Sequence, residues 1–143
     1  MDLLSRPANA NCPIAHTLQL VGQKWSLLIL REAFFGRTKF AEFQQIGVPT
    51  DTLTSRLDAL VTAGIFERRT YRSEGRRAHD EYILTAAGRD LLTVLAALSQ
   101  WGNKHLDFPD VQYEATTTGT PVHLAFVDDT GHEVPPADIT VIP

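Results

Sequence analysis

Three observations carry a fold assignment. Residues Lys24 to Phe35 are apolar almost all round, a second helix over Asp51 to Ala63 has one apolar stripe and one hydroxyl-rich face, and a basic hairpin follows it. With a short helix and turn ahead of Asp51 and a long helix after the hairpin, the order predicts a mainly α protein with a β-hairpin wing, a winged helix-turn-helix.

The elements follow one another along the chain. Ile14, Leu18 and Val21 recur at i, i+4 and i+7, and Pro13 suits a first helical position, so a helix is expected from Pro13 to Gly22. The central helix carries Trp25, Leu27, Leu28, Ile29, Leu30, Ala33, Phe34 and Phe35, and Gly36 ends it. Thr38 is the expected N-cap of a short helix whose Phe40, Phe43 and Ile46 face inward, before Gly47 and Pro49 interrupt the pattern.

Thr50 is the expected cap of the next helix. Its Leu53, Leu57, Leu60 and Val61 form the apolar stripe, and Gly64 supplies the stop. Asp51, Thr52, Ser55, Asp58, Ala59 and Thr62 fall on the opposite face, with Thr54 and Arg56 on its flanks. Ile65 to Arg72 and Asp80 to Leu84 read as two strands around the charged tip Ser73 to His79. Thr85 should cap one long helix from Ala86 to about Leu106, whose face of Leu91, Val94, Leu95, Leu98 and Trp101 is wide enough to call for a second subunit as well as its own core.

Three segments result: an N-terminal arm over residues 1–11, a DNA-binding and dimerisation domain over 12–106, and an acidic extension over 107–143. In the extension Val122 to Val127 and Ile139 to Ile142 are candidate strands of a small β-ribbon, with a turn at Asp128 to Gly131. Ile14, Leu18, Leu91, Leu95, Leu98 and Trp101 are the candidate dimer interface.

The net charge of −4 conceals an asymmetry. Residues 1–106 hold all thirteen bases against ten acids, a net of +3, whereas 107–143 hold seven acids and no base, a net of −7. Arg68, Arg69, Arg72, Arg76 and Arg77 make the densest positive segment, interrupted only by Glu74 among the acids. A hairpin tip with Arg76 and Arg77 around Gly75 suits phosphate contacts, which need charge rather than base geometry. On the polar-faced helix, Thr52, Ser55 and Arg56 are placed for base edges, and Arg56 matches the paired acceptors of guanine. Lys39 and Thr50 complete the set of candidate DNA contacts. Double-stranded DNA is therefore the expected partner.

One cysteine excludes an intramolecular disulfide and a Cys-rich zinc site. The five histidines lack metal-ligand spacing, so no metal or cofactor is expected. The longest apolar runs are too short to span a bilayer and the N-terminus lacks a signal-peptide core, which points to a cytoplasmic protein without membrane association. No nucleophile elbow, phosphate-cradling glycine loop or carboxylate pair is present, so catalysis is not expected. A winged helix that docks on a protein without reading DNA is the alternative reading.

The runs CPI at 12–14, GQKWSLLILRE at 22–32, TLTSRLDALVTAGIFERR at 52–69 and EYILTAAGRDL at 81–91 together resemble HxlR-type, MarR-related winged-helix transcriptional regulators over residues 12 to 106. The resemblance implies a homodimer, held chiefly by the first and last helices, on a pseudo-palindromic operator. Repression by occlusion is the expected mode, although the fold is equally compatible with an activator. It places Lys24 and Trp25 at the start of the core helix, Ser55 to Leu57 in the recognition helix, Arg68 and Arg69 in the strand entering the wing, and Gly88 and Arg89 in the last helix. The wing departs from the family's shorter proline-containing tip, and the tail lacks the cysteines some relatives carry. Some relatives sense quinones, aldehydes or oxidants through a cysteine in the matching CP motif. Cys12 is the corresponding candidate, at the amino end of the first helix and one helical turn from His16. Trp25, Phe34 and Trp101, with Phe35, Phe40 and Phe43, are the aromatic candidates for an effector pocket for a small molecule or electrophile.

Overall fold

The computed structural model describes residues 2–142 of the chain, which divides into two compact units, Met1–Leu92 and Thr93–Pro143. The first opens with a 3-10 turn, Leu3–Ser5, and helix α1, Pro7–Ala10, so the expected arm is locally folded. Helix α2, Pro13–Val21, starts at the proline as expected, because Pro13 would have no intrahelical use for the N–H it lacks. Helix α3 is Lys24–Phe34, α4 Phe40–Gln44 and α5 Thr50–Thr62.

Helix α3 buries Ser26, Ile29 and Leu30, but its Phe35 end is exposed, so it is less enclosed than its composition implies. Helix α5 buries Leu53, Leu57 and Leu60 completely, each contributing roughly 1.5–3 kcal/mol by leaving water. It stops where Gly64 takes φ +74°. There the Ile65 N–H reaches back to the Leu60 carbonyl at 2.9 Å and the Gly64 N–H to Val61 at 3.0 Å, a Schellman ending that only a glycine makes without strain.

Two expected caps are built differently. The carboxylate of Glu42, not the hydroxyl of Thr38, closes the start of α4 by accepting from the backbone N–H groups of Thr38 at 2.8 Å and Lys39 at 3.0 Å. A carboxylate three residues into a helix reaches two free N–H groups at once, which one hydroxyl cannot do. Thr50 is itself helical, preceded by Pro49, and its hydroxyl accepts from the Gln44 side-chain amide at 3.2 Å, tying α4 to α5.

The wing is the antiparallel pair β1, Phe66–Tyr71, and β2, His79–Leu84, with Phe66 opposite Leu84 and Tyr71 opposite His79. A third chain segment, absent from the sequence expectation, joins β2. Lys39 bridges Glu81, and the Tyr82 N–H donates to the Thr38 carbonyl at 2.8 Å. Phe43, Phe66 and Tyr82 meet at ring-centroid separations of 6.1–6.4 Å, so α4 and the wing share one aromatic core.

Thr85 does cap the helix after the wing, accepting from the Gly88 N–H at 3.1 Å. The single helix expected from Ala86 to Leu106 is instead two, α6, Ala86–Asp90, and α7, Leu92–His105. At Leu91 the N–H bonds the Gly88 carbonyl, three residues back, which tightens the turn and breaks the four-residue ladder.

In the second unit α7 buries Ala96 and pins the extension with side-chain amides. Gln100 donates to the Leu124 carbonyl at 3.1 Å and accepts from its N–H at 3.0 Å, and Asn103 does the same for Val111 at 2.7 and 3.0 Å. The Ser99 and Tyr113 hydroxyls bond at 2.8 Å. The extension contains two short ladders: β3, Tyr113–Glu114, with β4, Pro121–Val122, and β5, Phe126–Val127, with β6, Glu133–Val134. The turn at Asp128 to Gly131 lies where expected, with Gly131 at φ +88°. Ile139 to Ile142 forms no strand, because β6 takes the partner position beside β5 and Pro135 and Pro136 lack the N–H groups that would extend pairing.

Candidate nucleic-acid interface

Helices α4 and α5, the turn between them and the wing all belong to the first unit. On α5 the stripe of buried leucines faces inward, which leaves Ser55 exposed and Thr52 and Arg56 half-buried. The Arg56 guanidinium donates to the neighbouring Ser55 hydroxyl at 3.3 Å and has no carboxylate partner among the described residues. Its charge is thus available to an incoming acceptor, unlike that of an arginine held in an ion pair. Thr50 is engaged by Gln44, as described. The Lys39 ammonium lies over the Tyr71 ring, 5.2 Å from its centroid, on the side where α4 approaches the wing.

That approach leaves a cleft of about 380 Å³ lined by Lys39, Phe40, Tyr71, His79, Asp80 and Tyr82 among others. Sequence reading had no means of seeing it, since its walls come from two segments thirty or more residues apart.

The five wing arginines have different fates. Arg68 pairs with Asp58 of α5 and stands 3.8 Å from Asp80. Arg69 grips Glu67 through two bonds of 3.1 and 3.2 Å, which hold the Glu67 carboxyl below the usual carboxylate range. Arg72 donates to the Arg76 carbonyl at 3.1 Å and so shapes the tip, helped by Gly75 at φ +71°. Arg76 and Arg77 make no side-chain hydrogen bond or ion pair among the described residues. The tip is where unneutralised charge collects. Sequence reading placed Asp58 on the polar face of its helix but connected neither it nor Asp80 or Tyr82 with Arg68, and only their approach in space reveals the link.

The effector candidates are dispersed. Cys12 is the half-buried N-cap residue of α2, its carbonyl accepting from the His16 N–H at 3.0 Å. The His16 ring does not turn toward the thiol but bonds the Ala10 carbonyl at 2.8 Å, an acceptor left free at the end of α1. Trp25 and Phe34 are half-buried on α3, Phe35 is exposed, and Phe43 belongs to the aromatic core. Trp101 is exposed on α7 in the second unit, its ring 4.9 Å from that of His105.

Among the candidate interface residues, Ile14 is 71% exposed and Leu18 52% on α2. Leu98 and Trp101 are exposed on α7, beside an apolar groove of about 500 Å³ formed with Thr93, Val94 and Ala97, while Leu91 and Leu95 are half-buried. No helix among the described residues is long and apolar enough to cross a membrane, and no group of three or more His, Cys, Asp or Glu among them could hold a metal ion.

Comparison with known proteins adds an independent line. Residues 20–110 match the model of the HxlR-like helix-turn-helix family. An HTH-type transcriptional regulator of Mycobacterium bovis is 47% identical over 98 residues, covering 68% of this chain and 61% of that protein, and one from Synechocystis is 41% identical, covering 67% and 71%. The chain thus spans less than two thirds of the length of its mycobacterial relative. Among solved structures, the transcription factor PA1607 superposes with a TM-score of 0.78 at 36% identity, covering 93% of this chain and 95% of that one. The redox regulator HypR in its reduced form superposes at 0.60 with 30% identity, covering 66% and 94%. With its helix order, wing and family match in agreement, the chain belongs to the HxlR-like helix-turn-helix family.

Proposed function

We propose that this protein is a sequence-specific DNA-binding transcriptional regulator, acting more as a repressor and binding a pseudo-palindromic operator as a homodimer. The observation that carries the reading is the pairing, in one compact unit, of an α5 face whose Arg56 lacks a carboxylate partner among the described residues with a wing tip whose Arg76 and Arg77 pair with no acid among them. Arg56, Ser55 and Thr52 read base edges. Arg76, Arg77, Arg72 and Arg69, with Lys39 and Thr50, contact the backbone. Regulation by occlusion follows if the operator overlaps a promoter.

The dimer forms through α2 and α7, whose Ile14, Leu18, Leu98 and Trp101 leave apolar surface exposed, and takes in the half-buried Leu91 and Leu95. Two recognition helices related by a two-fold axis reach half-sites about 34 Å apart. A thiol-reactive or small-molecule effector acts through Cys12, a reading supported by its position at the start of α2 and by the likeness to a redox regulator, with Trp25, Phe34 and Trp101 as the aromatic candidates. The domain over residues 12–106 is the regulator proper and the acidic extension is its appendage.

Fluorescence anisotropy of the purified protein with labelled DNA from upstream of its own gene, against scrambled duplex across a salt series, tests the proposal. A specific-to-scrambled ratio above about a thousand with a steep salt dependence is expected. Weak, sequence-blind binding would instead favour docking on a protein. Diamide with added glutathione, which turns the Cys12 thiol into a mixed disulfide while diamide takes up the two hydrogens, is expected to release the DNA, and full affinity in the modified protein would remove the thiol from the scheme.

A further inference from the structure

Side chains alternate across the wing, so Phe66, Arg68 and Thr70 of β1 share a face with Leu84, Tyr82 and Asp80 of β2. At the base of this face Phe66 and Tyr82 are buried. Arg68, directly opposite Tyr82, is the first residue beyond that cluster toward the tip. Its guanidinium lies 5.5 Å from the centre of the Tyr82 ring, pairs through Nη2 with Oδ1 of Asp58, and places Nε 3.8 Å from Oδ2 of Asp80. The second oxygen of Asp80 accepts from the Thr70 hydroxyl at 2.9 Å. One planar group thereby touches the helix proposed to read bases, the second wing strand and the aromatic core. Arg69 and Glu67, one residue to either side, point to the other face and meet none of these.

We propose that Arg68 is a positioning residue rather than a DNA contact: with Asp58 and Asp80 it forms a strut that sets the angle of the wing against α5. The inference rests on the DNA-binding reading for its consequence, but the strut itself can be observed without DNA. Arg68, Asp58 and Asp80 have side chains 39%, 56% and 42% exposed, and ion pairs this wet add little to global stability. Their effect lies in orientation. A wing held at the correct angle before binding loses less freedom on the operator, so the strut tightens specific binding through preorganisation. An arginine is required because only its planar fork presents separate N–H groups to two carboxylates while lying over a ring.

The test turns on a sign. Asp58→Asn removes a negative charge beside the proposed DNA surface, and electrostatics alone would then tighten binding. The strut requires the opposite: specific affinity about fivefold to tenfold weaker, with the salt slope unchanged. Arg68→Lys keeps the charge and loses the fork, and should behave like Asp58→Asn. A second readout uses the free protein. Amide hydrogen exchange at Arg69, Tyr71 and Glu81, whose N–H groups lie within the β1–β2 ladder, should accelerate about threefold or more in both variants while the α5 amides stay protected. Tighter operator binding by Asp58→Asn, or wing exchange identical to the parent in both variants, overturns the strut. If the parent protein binds no DNA, the DNA reading fails and the exchange result still decides the strut.

Discussion

Gly88 is the sharpest place to perturb the fold. A Cβ built on it would lie 2.2 Å from the Ile65 carbonyl oxygen, 3.0 Å from Cδ2 of Leu84 and 3.2 Å from the Ile65 carbonyl carbon. The first contact is with backbone and cannot be relieved by rotating a side chain. The same carbonyl accepts from the Thr85 N–H at 3.0 Å, and the Thr85 hydroxyl donates to the adjacent Gly64 carbonyl at 2.5 Å, so moving this stretch of backbone disturbs the bonds that seat the wing on α6. Overpacking of this kind costs about 1–3 kcal/mol, and weakening two hydrogen bonds costs roughly 1 kcal/mol each. Alanine returns about 1 kcal/mol through its better helix propensity. Gly88→Ala should therefore destabilise the protein by about 2–4 kcal/mol, a Tm lowered by roughly 8–16 °C for a chain of this size. Urea unfolding followed by circular dichroism reads the first quantity and a thermal melt the second. A variant as stable as the parent, or more so, would show that the close approach of α6 to the Ile65 carbonyl is wrong.

Other perturbations address the site and the core. Arg56→Ala should cost about 1–3 kcal/mol on the operator and relax preference at one base pair, measured by anisotropy against single-position operator variants. Arg76→Ala combined with Arg77→Ala should weaken specific and scrambled DNA alike and flatten the log–log salt slope by about 2. Leu57→Ala, at a position with no exposure, should lose about 2–5 kcal/mol in urea unfolding. For Glu42, the N–H groups of Thr38 and Lys39 lower the carboxyl below its ordinary 4.5. Its stabilisation is therefore fully present above that value and is lost as pH falls through the lowered one. Glu42→Gln should be less stable than the parent at neutral pH, and the two unfolding curves should converge in acid. A difference that persists at pH 2 would deny the carboxylate its capping role.

Periodicity and punctuation were enough for much of the architecture. The buried leucines of α5, the glycine endings at Gly36 and Gly64, the proline start of α2, the Thr85 cap and the hairpin are local events, set by side-chain spacing and by φ values that neighbouring residues cannot adopt. The family motifs were likewise legible, because they lie in these same local elements. What escaped were local choices between competing partners and pairings closed over distance. Glu42 displaced Thr38 as the cap because a carboxylate reaches two donors. The helix after Thr85 broke at Leu91, through a three-residue hydrogen bond that no residue type announces. The tail paired β5 with β6 and left Ile139 to Ile142 unpaired.

The arginine cluster shows the division most clearly. Its density and sign are properties of the chain, and they direct attention to nucleic acid before any coordinate is known. Which of those charges remains free is not a property of the chain. The pleat of the wing sends Arg68 toward Asp58 and Asp80 and Arg69 toward Glu67, while the turn around Gly75 leaves Arg76 and Arg77 without side-chain partners among the described residues. A charge is neutralised by whatever lies within a few ångströms of it, and that distance is set only when α5, β1 and β2 pack against one another.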